Sequence, residues 1–331
     1  MDLDSISILL LWTAIAIYAG AFIAYAFDLA RRSSLSDEER VLVAAGGVGA
    51  DAVARGSVAS GGSAVGGAGV SGVGARPRLV MARIGTALTV LGWLFHLGAT
   101  LTRGFAAGRV PWANLYEFAM IGTLLIVLVY LVVLTRIDLR YLGTFITGLV
   151  LVLLGAAAAN FYVIVTPLVD PLKSVWLVIH VFVASLATAL LALAFALSVM
   201  QLLQARREHR LADGAEKAGP GFLRTLPDAG RLENLAYRFT VVGFIFWTFT
   251  LIAGAIWAQD AWGRYWGFDV KETWTFIIWV LYAGYIHARA TRGWRGTPSA
   301  WLSITGFAAV LFNFTIVNVF FKGLHAYSGL S

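Results

Sequence analysis

The chain has 331 residues, 59% hydrophobic and 13% charged, with a mean hydropathy of +0.79 and a formal charge of +7. Soluble domains carry about a quarter charged residues, so this composition excludes an ordinary soluble globule and indicates a membrane protein. There is no cysteine, which excludes disulfides, thiolate ligands and a redox Cys-x-x-Cys of the chain's own and leaves any metal to five histidines and the carboxylates.

A membrane span needs about 20 apolar residues. The first apolar run, 6–27, is too long for a signal-peptide core and lacks a basic leader, so it reads as a retained helix. Next come Ser36 to Glu39, which have the spacing of a capping box and predict a helix start at Ser36. Residues 46–74 hold 11 glycines in 29 and read as a flexible linker. Further apolar runs at 84–102, 118–135, 141–169, 174–205, 239–259, 273–288 and 296–321 bring the expectation to eight transmembrane helices. Pro167 and Pro171 bound the fourth, and residues 206–237 form a charged connection. The fold class is thus an all-α polytopic membrane protein. Its parts are a first helix over 1–30, a cytoplasmic segment over 31–79 and a seven-helix core over 80–331 with a loop at 259–275.

Orientation follows from the connections. With the N-terminus outside, the 25 Lys and Arg residues divide 19 on the cytoplasmic side to six on the outer side, as the positive-inside rule requires. Both termini and the 259–275 loop are then outside. The basic residues are scattered between apolar runs, so they read as membrane anchors and not as a nucleic-acid surface.

Trp262, Tyr265, Trp266, Phe268 and Trp274 place five rings in 13 residues, interleaved with Gly263 and Gly267. An aromatic belt at headgroup depth explains scattered rings. It explains less well a cluster in which glycines let a ligand approach. Asp269 is spaced as an N-cap of the seventh helix with Glu272 three residues on. Arg264 and Lys271 are cations on the outer side, free to meet lipid phosphates or the carboxylates of an anionic ligand. Pro111, Asn114 and Glu117 form a second helix start, again with capping-box spacing.

The histidines fall on this frame informatively. His180, early in the fifth helix, and His325, after the eighth, lie on the same side as the Trp-rich loop. His287 closes the seventh helix at the cytoplasmic side, where the helix dipole alone would favour it. His96 lies within the second helix, where an ionisable group suggests function but can also bond a neighbouring helix. His209 belongs to a solvated connection. A pair of imidazoles facing flat aromatic walls suits a planar macrocycle with a central iron. Zinc and copper also accept imidazole, and quinone is another flat ligand.

The run from Trp262 through Trp266, Asp269, Lys271, Glu272 and Trp274, followed by Trp279, Tyr282, Tyr285 and His287, resembles the Trp-rich signature of the haem-handling WWD proteins. More narrowly it is similar to the CcsA (ResC) family, a subunit of the system II cytochrome c synthase. Pro111, Asn114, Tyr116 and Glu117, Trp176 with His180, Trp257, and Gly323 with His325 and Tyr327 match as well. Tyr265, Phe268 and Val270 depart from it: the family often has Trp, Trp and Pro there. The resemblance implies haem b as ligand and substrate, with His180 and His325 as outer axial ligands and the Trp-rich loop holding the ring. It implies that His287 is a ligand at an inner site, with His96 as a possible companion. It also implies a CcsB (ResB) partner and an apocytochrome c whose thiols add to haem vinyl groups, at the bacterial cytoplasmic membrane. No residue stands out as a dedicated general base. Two other readings remain at this stage: a haem exporter without ligation chemistry, which in the related branch has about six helices, and a respiratory haem b and quinone subunit, which predicts histidine pairs at matched depths. A transporter would show inverted repeats or broken helices, and neither is found.

Overall fold

The computed structural model describes residues 2–54, 80–215, 218–291, 293–321 and 323–325, with 32–54 described as backbone only. Nine α-helices make up the described chain: α1 (Leu3–Ala54), α2 (Val80–Ala107), α3 (Leu115–Leu134), α4 (Gly143–Asn160), α5 (Val175–Ala212), α6 (Ala229–Trp262), α7 (Val270–Thr291), α8 (Thr297–Phe314) and the short α9 (Ile316–Phe320). Among the described residues there is no strand. Seven helices are long and apolar enough to cross a membrane, and the protein is an all-α polytopic membrane protein. In lipid the backbone must satisfy its own hydrogen bonds, which is why helices alone carry the spans.

The remaining long helix, α7, holds Lys271 and Glu272 in its first turn and Arg289 in its last. It nevertheless runs antiparallel to α6 along its whole length. Glu272 meets Arg264 at one end, Trp247 Nε1 donates to Thr275 O and Trp279 Nε1 to Thr248 Oγ1 in the middle, and Arg289 meets Glu233 at the other. It therefore lies in the same layer as α6, beside the seven helices long and apolar enough to cross a membrane.

Hairpins dominate the packing. In the α1–α2 pair, Ser7 donates to Ala99 O and Tyr18 reaches the His96 ring. Tyr25 donates or accepts at Thr86. Asp4, at the start of α1, and His325 both lie at the end of the bundle that carries the Trp-rich loop.

Four boundaries differ from the expectation. The backbone of α1 passes through Ser36 without a break and runs to Ala54, so the predicted start at Ser36 and the first part of the linker lie inside a helix. Glu38, Glu39 and Arg40 are good helix formers, and no proline interrupts them. Residues 55–79, the rest of the linker, fall outside the described residues. The fourth helix stops at Asn160 and not at 169. The chain beyond is non-helical because its groups have other partners: Arg103 Nη2 donates to Val163 O at 2.6 Å, Tyr162 donates to Asp4, and Pro167 follows. Finally, the charged connection 206–237 is mostly helical: α5 runs on to Ala212 and α6 begins at Ala229, N-capped by Asp228. Glu233 and Arg289 give these polar turns a purpose, since Glu233 also accepts from Gly296 N and so fixes the start of α8.

Candidate functional site

His180 stands on the second turn of α5 and faces α6. Its Nδ1 lies 2.9 Å from Thr250 O. A carbonyl can only accept, so Nδ1 carries the proton and Nε2 keeps its lone pair. The ring can come this close because residue 254 is glycine: a Cβ there would sit 2.7 Å from His180 Cε1. Against its other side Trp257 is nearly parallel, with centroids 5.9 Å apart and planes 17° apart.

His325 reaches the same place from the segment after α9. Its Nδ1 donates to Asp269 Oδ2 at 2.7 Å, and Leu324 N donates to Asp269 Oδ1 at 3.2 Å. Asp269 thus clamps two successive residues of the C-terminal segment. Gly323 makes the clamp possible, because a Cβ there would lie 2.1 Å from Asp269 Oδ1. The hydrogen bond to His325 holds the Asp269 carboxyl below its ordinary range. Burial lowers the imidazole's own pKa, against the opposing pull of Asp269. Both directions describe one state: an ionised carboxylate and a neutral imidazole with Nε2 unprotonated. A carboxylate behind an imidazole fixes tautomer and orientation and makes the ring a stronger donor.

Trp257 joins the two. It is buried, donates its Nε1–H to Pro171 O at 2.8 Å, and also meets the His325 ring edge-on at 5.4 Å. Trp262 lies 4.8 Å from both Trp257 and His325. The two imidazoles, Trp257 and Lys271 line a common cavity of about 170 Å³ that extends between α3, α5, α6, α7 and α8. Trp257 did not stand out in the Trp-rich run because it lies five residues before it, inside an apolar stretch.

The loop itself separates into distinct roles. Glu272 is its hub: it pairs with Arg264 and accepts from Gly267 N and Asp269 N. Half of the expected capping box is therefore present, with Glu272 reaching back to Asp269 N. The Asp269 side chain serves the start of α7 through the backbone N–H of Lys271 and not that of Glu272, while it also holds His325 and Leu324. Tyr265 and Trp266 border a second, smaller recess that also contains His180 and His325. Phe268 points away: it is 81% exposed and adopts φ 57°, a conformation that strains a residue with a Cβ. Trp274 turns instead to α8 and packs on Phe312 at 4.5 Å. Lys271 hydrogen-bonds Asn318 Oδ1 and makes no ion pair among the described residues.

The other predicted residues lie elsewhere. Glu117 is fully buried between Arg103 and Arg109 and accepts from Ala113 N, while Asn114 Oδ1 caps Glu117 N as the spacing predicts. It shapes the wall at 112–114 and does not line the cavity. His96 is buried, 3.4 Å from Tyr18 Oη, with its Nε2 unpartnered. His287 is exposed at the opposite end of the bundle, in an open groove with Gly284, Trp294 and Leu302. It shares no cavity with His96. His209 is solvated, 3.7 Å from Asp213.

A family model described as cytochrome C assembly protein matches residues 112–325, the region that holds both imidazoles, Trp257 and the Trp-rich loop. The chain belongs to the cytochrome c assembly protein family. Within this family it groups with the CcsA proteins. It is 33% identical to the cytochrome c biogenesis protein CcsA of Guillardia theta over 75% of this chain and 86% of that protein. With CcsA of Chlamydomonas reinhardtii the identity is 32%, over 76% of this chain and 68% of the relative. With CcsA of Prochlorococcus marinus it is 34%, over 68% and 78%. The solved structure of the cytochrome c heme lyase CcmF superposes with a TM-score of 0.60 over 95% of this chain and 47% of CcmF, at 17% identity. This family member thus spans about half of CcmF, and that likeness is one of fold. Its role lies in cytochrome c biogenesis.

Proposed function

We propose that the protein holds haem b at the outer face of the bacterial cytoplasmic membrane while an apocytochrome c is joined to it. His180 and His325 are the axial ligands, and the reaction is thioether formation at a Cys-x-x-Cys-His motif, carried out with a CcsB (ResB) type membrane partner. The observation that carries this reading is the convergence of two imidazoles, from α5 and from the segment after α9, on one aromatic cavity. Each has its Nδ1 committed to a fixed acceptor and its Nε2 left as a donor. Such a donor set fits haem iron. The outer placement of this end rests on the 19-to-six division of Lys and Arg.

In the reaction each thiol S–H adds across a vinyl C=C of haem. One C–S bond forms, the proton goes to the other vinyl carbon, and nothing leaves. The task of this chain is positioning. Trp257 fixes both imidazole planes, Asp269 secures His325, and Gly254 admits His180 to the cavity. The thiols belong to the substrate, in accord with a chain that has none. At the opposite end, His287 in its open groove serves as a ligand for haem arriving from the cytoplasm, the second ligand coming from the partner.

The test is the absorption spectrum of the purified protein with its partner. A bis-histidine haem spectrum is expected; its absence removes the reading. In cells, loss of the protein is expected to abolish covalent haem in exported cytochromes c and to leave haem b proteins intact.

A further inference from the structure

The cavity beside the two imidazoles has two unlike walls. One comes from the start of α3 and from the approach to α5, where Trp112, Leu172 and Leu177 line it. The other comes from α7, α8 and α9 and presents Lys271, Asn313 and Asn318. Lys271 has an amide partner, Asn318, and no carboxylate among the described residues. Asn313 is 6% exposed, and its Oδ1 is buried without a hydrogen-bond partner. Its amide orientation follows from its neighbour: Thr275 Oγ1 donates to Lys271 O at 2.8 Å and so must accept from Asn313 Nδ2 at 3.2 Å, which turns Oδ1 free. Asp269 acts on Lys271 electrostatically but makes no ion-pair contact with it and is bonded to His325. An ammonium with no carboxylate in contact and a buried orphan acceptor both ask for a ligand.

We infer that this polar wall binds the carboxyl edge of the macrocycle and thereby orients it, so that the vinyl edge faces Trp112, Leu172 and Leu177. The inference rests on the haem reading and adds direction to it. Haem is asymmetric: one edge carries two carboxyl groups and the rest is apolar. The wall offers one cation for two carboxyls. One ionised carboxylate pairs with Lys271. The other stays protonated in the low-dielectric cavity and gives its O–H to Asn313 Oδ1, because an unpaired buried carboxylate is costly. The apolar wall is adjoined by exposed Val169, Asp170, Lys173 and Val175, so the vinyl groups lie beside the rim that an arriving peptide can reach. Carboxyl anchoring on one side thus leaves the reactive carbons on the accessible side.

The experiment compares iron protoporphyrin IX with its dimethyl ester, in which both carboxyls are capped, by absorption titration of the purified full chain in lipid nanodiscs. The wild type is expected to bind the free acid about thirtyfold more tightly than the ester, the value of one charge-assisted and one neutral hydrogen bond. Lys271→Met is expected to cut that preference about tenfold and leave ester affinity unchanged, with Lys271→Arg restoring the preference. Asn313→Leu is expected to reduce it about threefold, as for a neutral hydrogen bond. Trp112→Ala is expected to weaken both ligands equally. Equal wild-type binding of acid and ester, or a preference undiminished in Lys271→Met, overturns the inference and leaves the haem reading standing. Failure of the wild type to bind either form removes both.

Discussion

The two ends of the bundle present histidine in opposite ways. At the Trp-rich end, His180 and His325 are each held by an acceptor behind the ring, by Trp257 beside it and by a glycine that makes room. At the other end, His287 stands exposed in a groove, and its ring makes no hydrogen bond among the described residues. The first arrangement is pre-organised: the cost of fixing the ligands was met during folding. The second leaves its ring open within this chain, the arrangement that the proposed partner subunit would complete.

The comparison breaks most sharply under histidine removal. In the purified chain loaded with haem, His180→Gly or His325→Gly is expected to abolish the bis-histidine spectrum, and added imidazole to restore it. His287→Gly is expected to leave that spectrum intact and to reduce haem only in preparations that contain the partner. Equal spectral effects from all three variants would erase the distinction between the ends.

Asp269→Ala comes next. Removing both bonds to residues 324 and 325 is expected to mimic His325→Gly, including rescue by imidazole. Asp269→Asn keeps an acceptor for Nδ1 but loses the charge. It is expected to retain the spectrum and raise the reduction potential of bound haem, since a weaker donor favours the ferric state less. An unchanged potential in Asp269→Asn would reduce the carboxylate to a mere clamp. Gly254→Val would drive a side chain into the His180 ring. A loss of stability of about 1–3 kcal/mol is expected, as in other overpacked interiors, together with weakened haem retention measured by dissociation rate. Phe268→Gly is the smallest effect: it removes an exposed ring and relieves a left-handed backbone. Stability is expected to be unchanged or to rise by up to about 1 kcal/mol, with an unaltered haem spectrum.

Much of this was legible from the chain. Apolar runs gave the spans, and charge asymmetry put His180, His325 and the Trp-rich loop on one side. The Asn114–Glu117 spacing formed the cap it promised. What could not be read were relations between distant residues. Asp269 and Glu272 have the spacing of a capping box, and no local pattern reveals that a histidine 56 positions away competes for the same carboxylate. Trp257 matched the family resemblance but carried no site role there; its place between the two imidazoles shows only when α5 and the C-terminal segment close on it. Gly254 has meaning only through His180. The early end of α4 depends on Arg103 from another helix. Hydrophobicity marks where a chain crosses the membrane and is silent on which buried groups meet inside.

The quartet of Asp4, Arg103, Glu117 and Arg109 bears on what counts as a unit. Two positive and two negative groups interlock α1, α2 and α3, with Arg103 and Glu117 fully buried. The set is neutral as a whole, so it can stay away from water without a counter-ion. The region matched by the family model begins at 112 and contains one member of the four. A fragment cut at that boundary would take both guanidinium partners from Glu117 and leave it the Ala113 N–H; removing one partner of a buried pair costs about 3–5 kcal/mol. The first two helices are therefore no appendage to the haem-handling half: the shortest autonomous version of this protein has to include them.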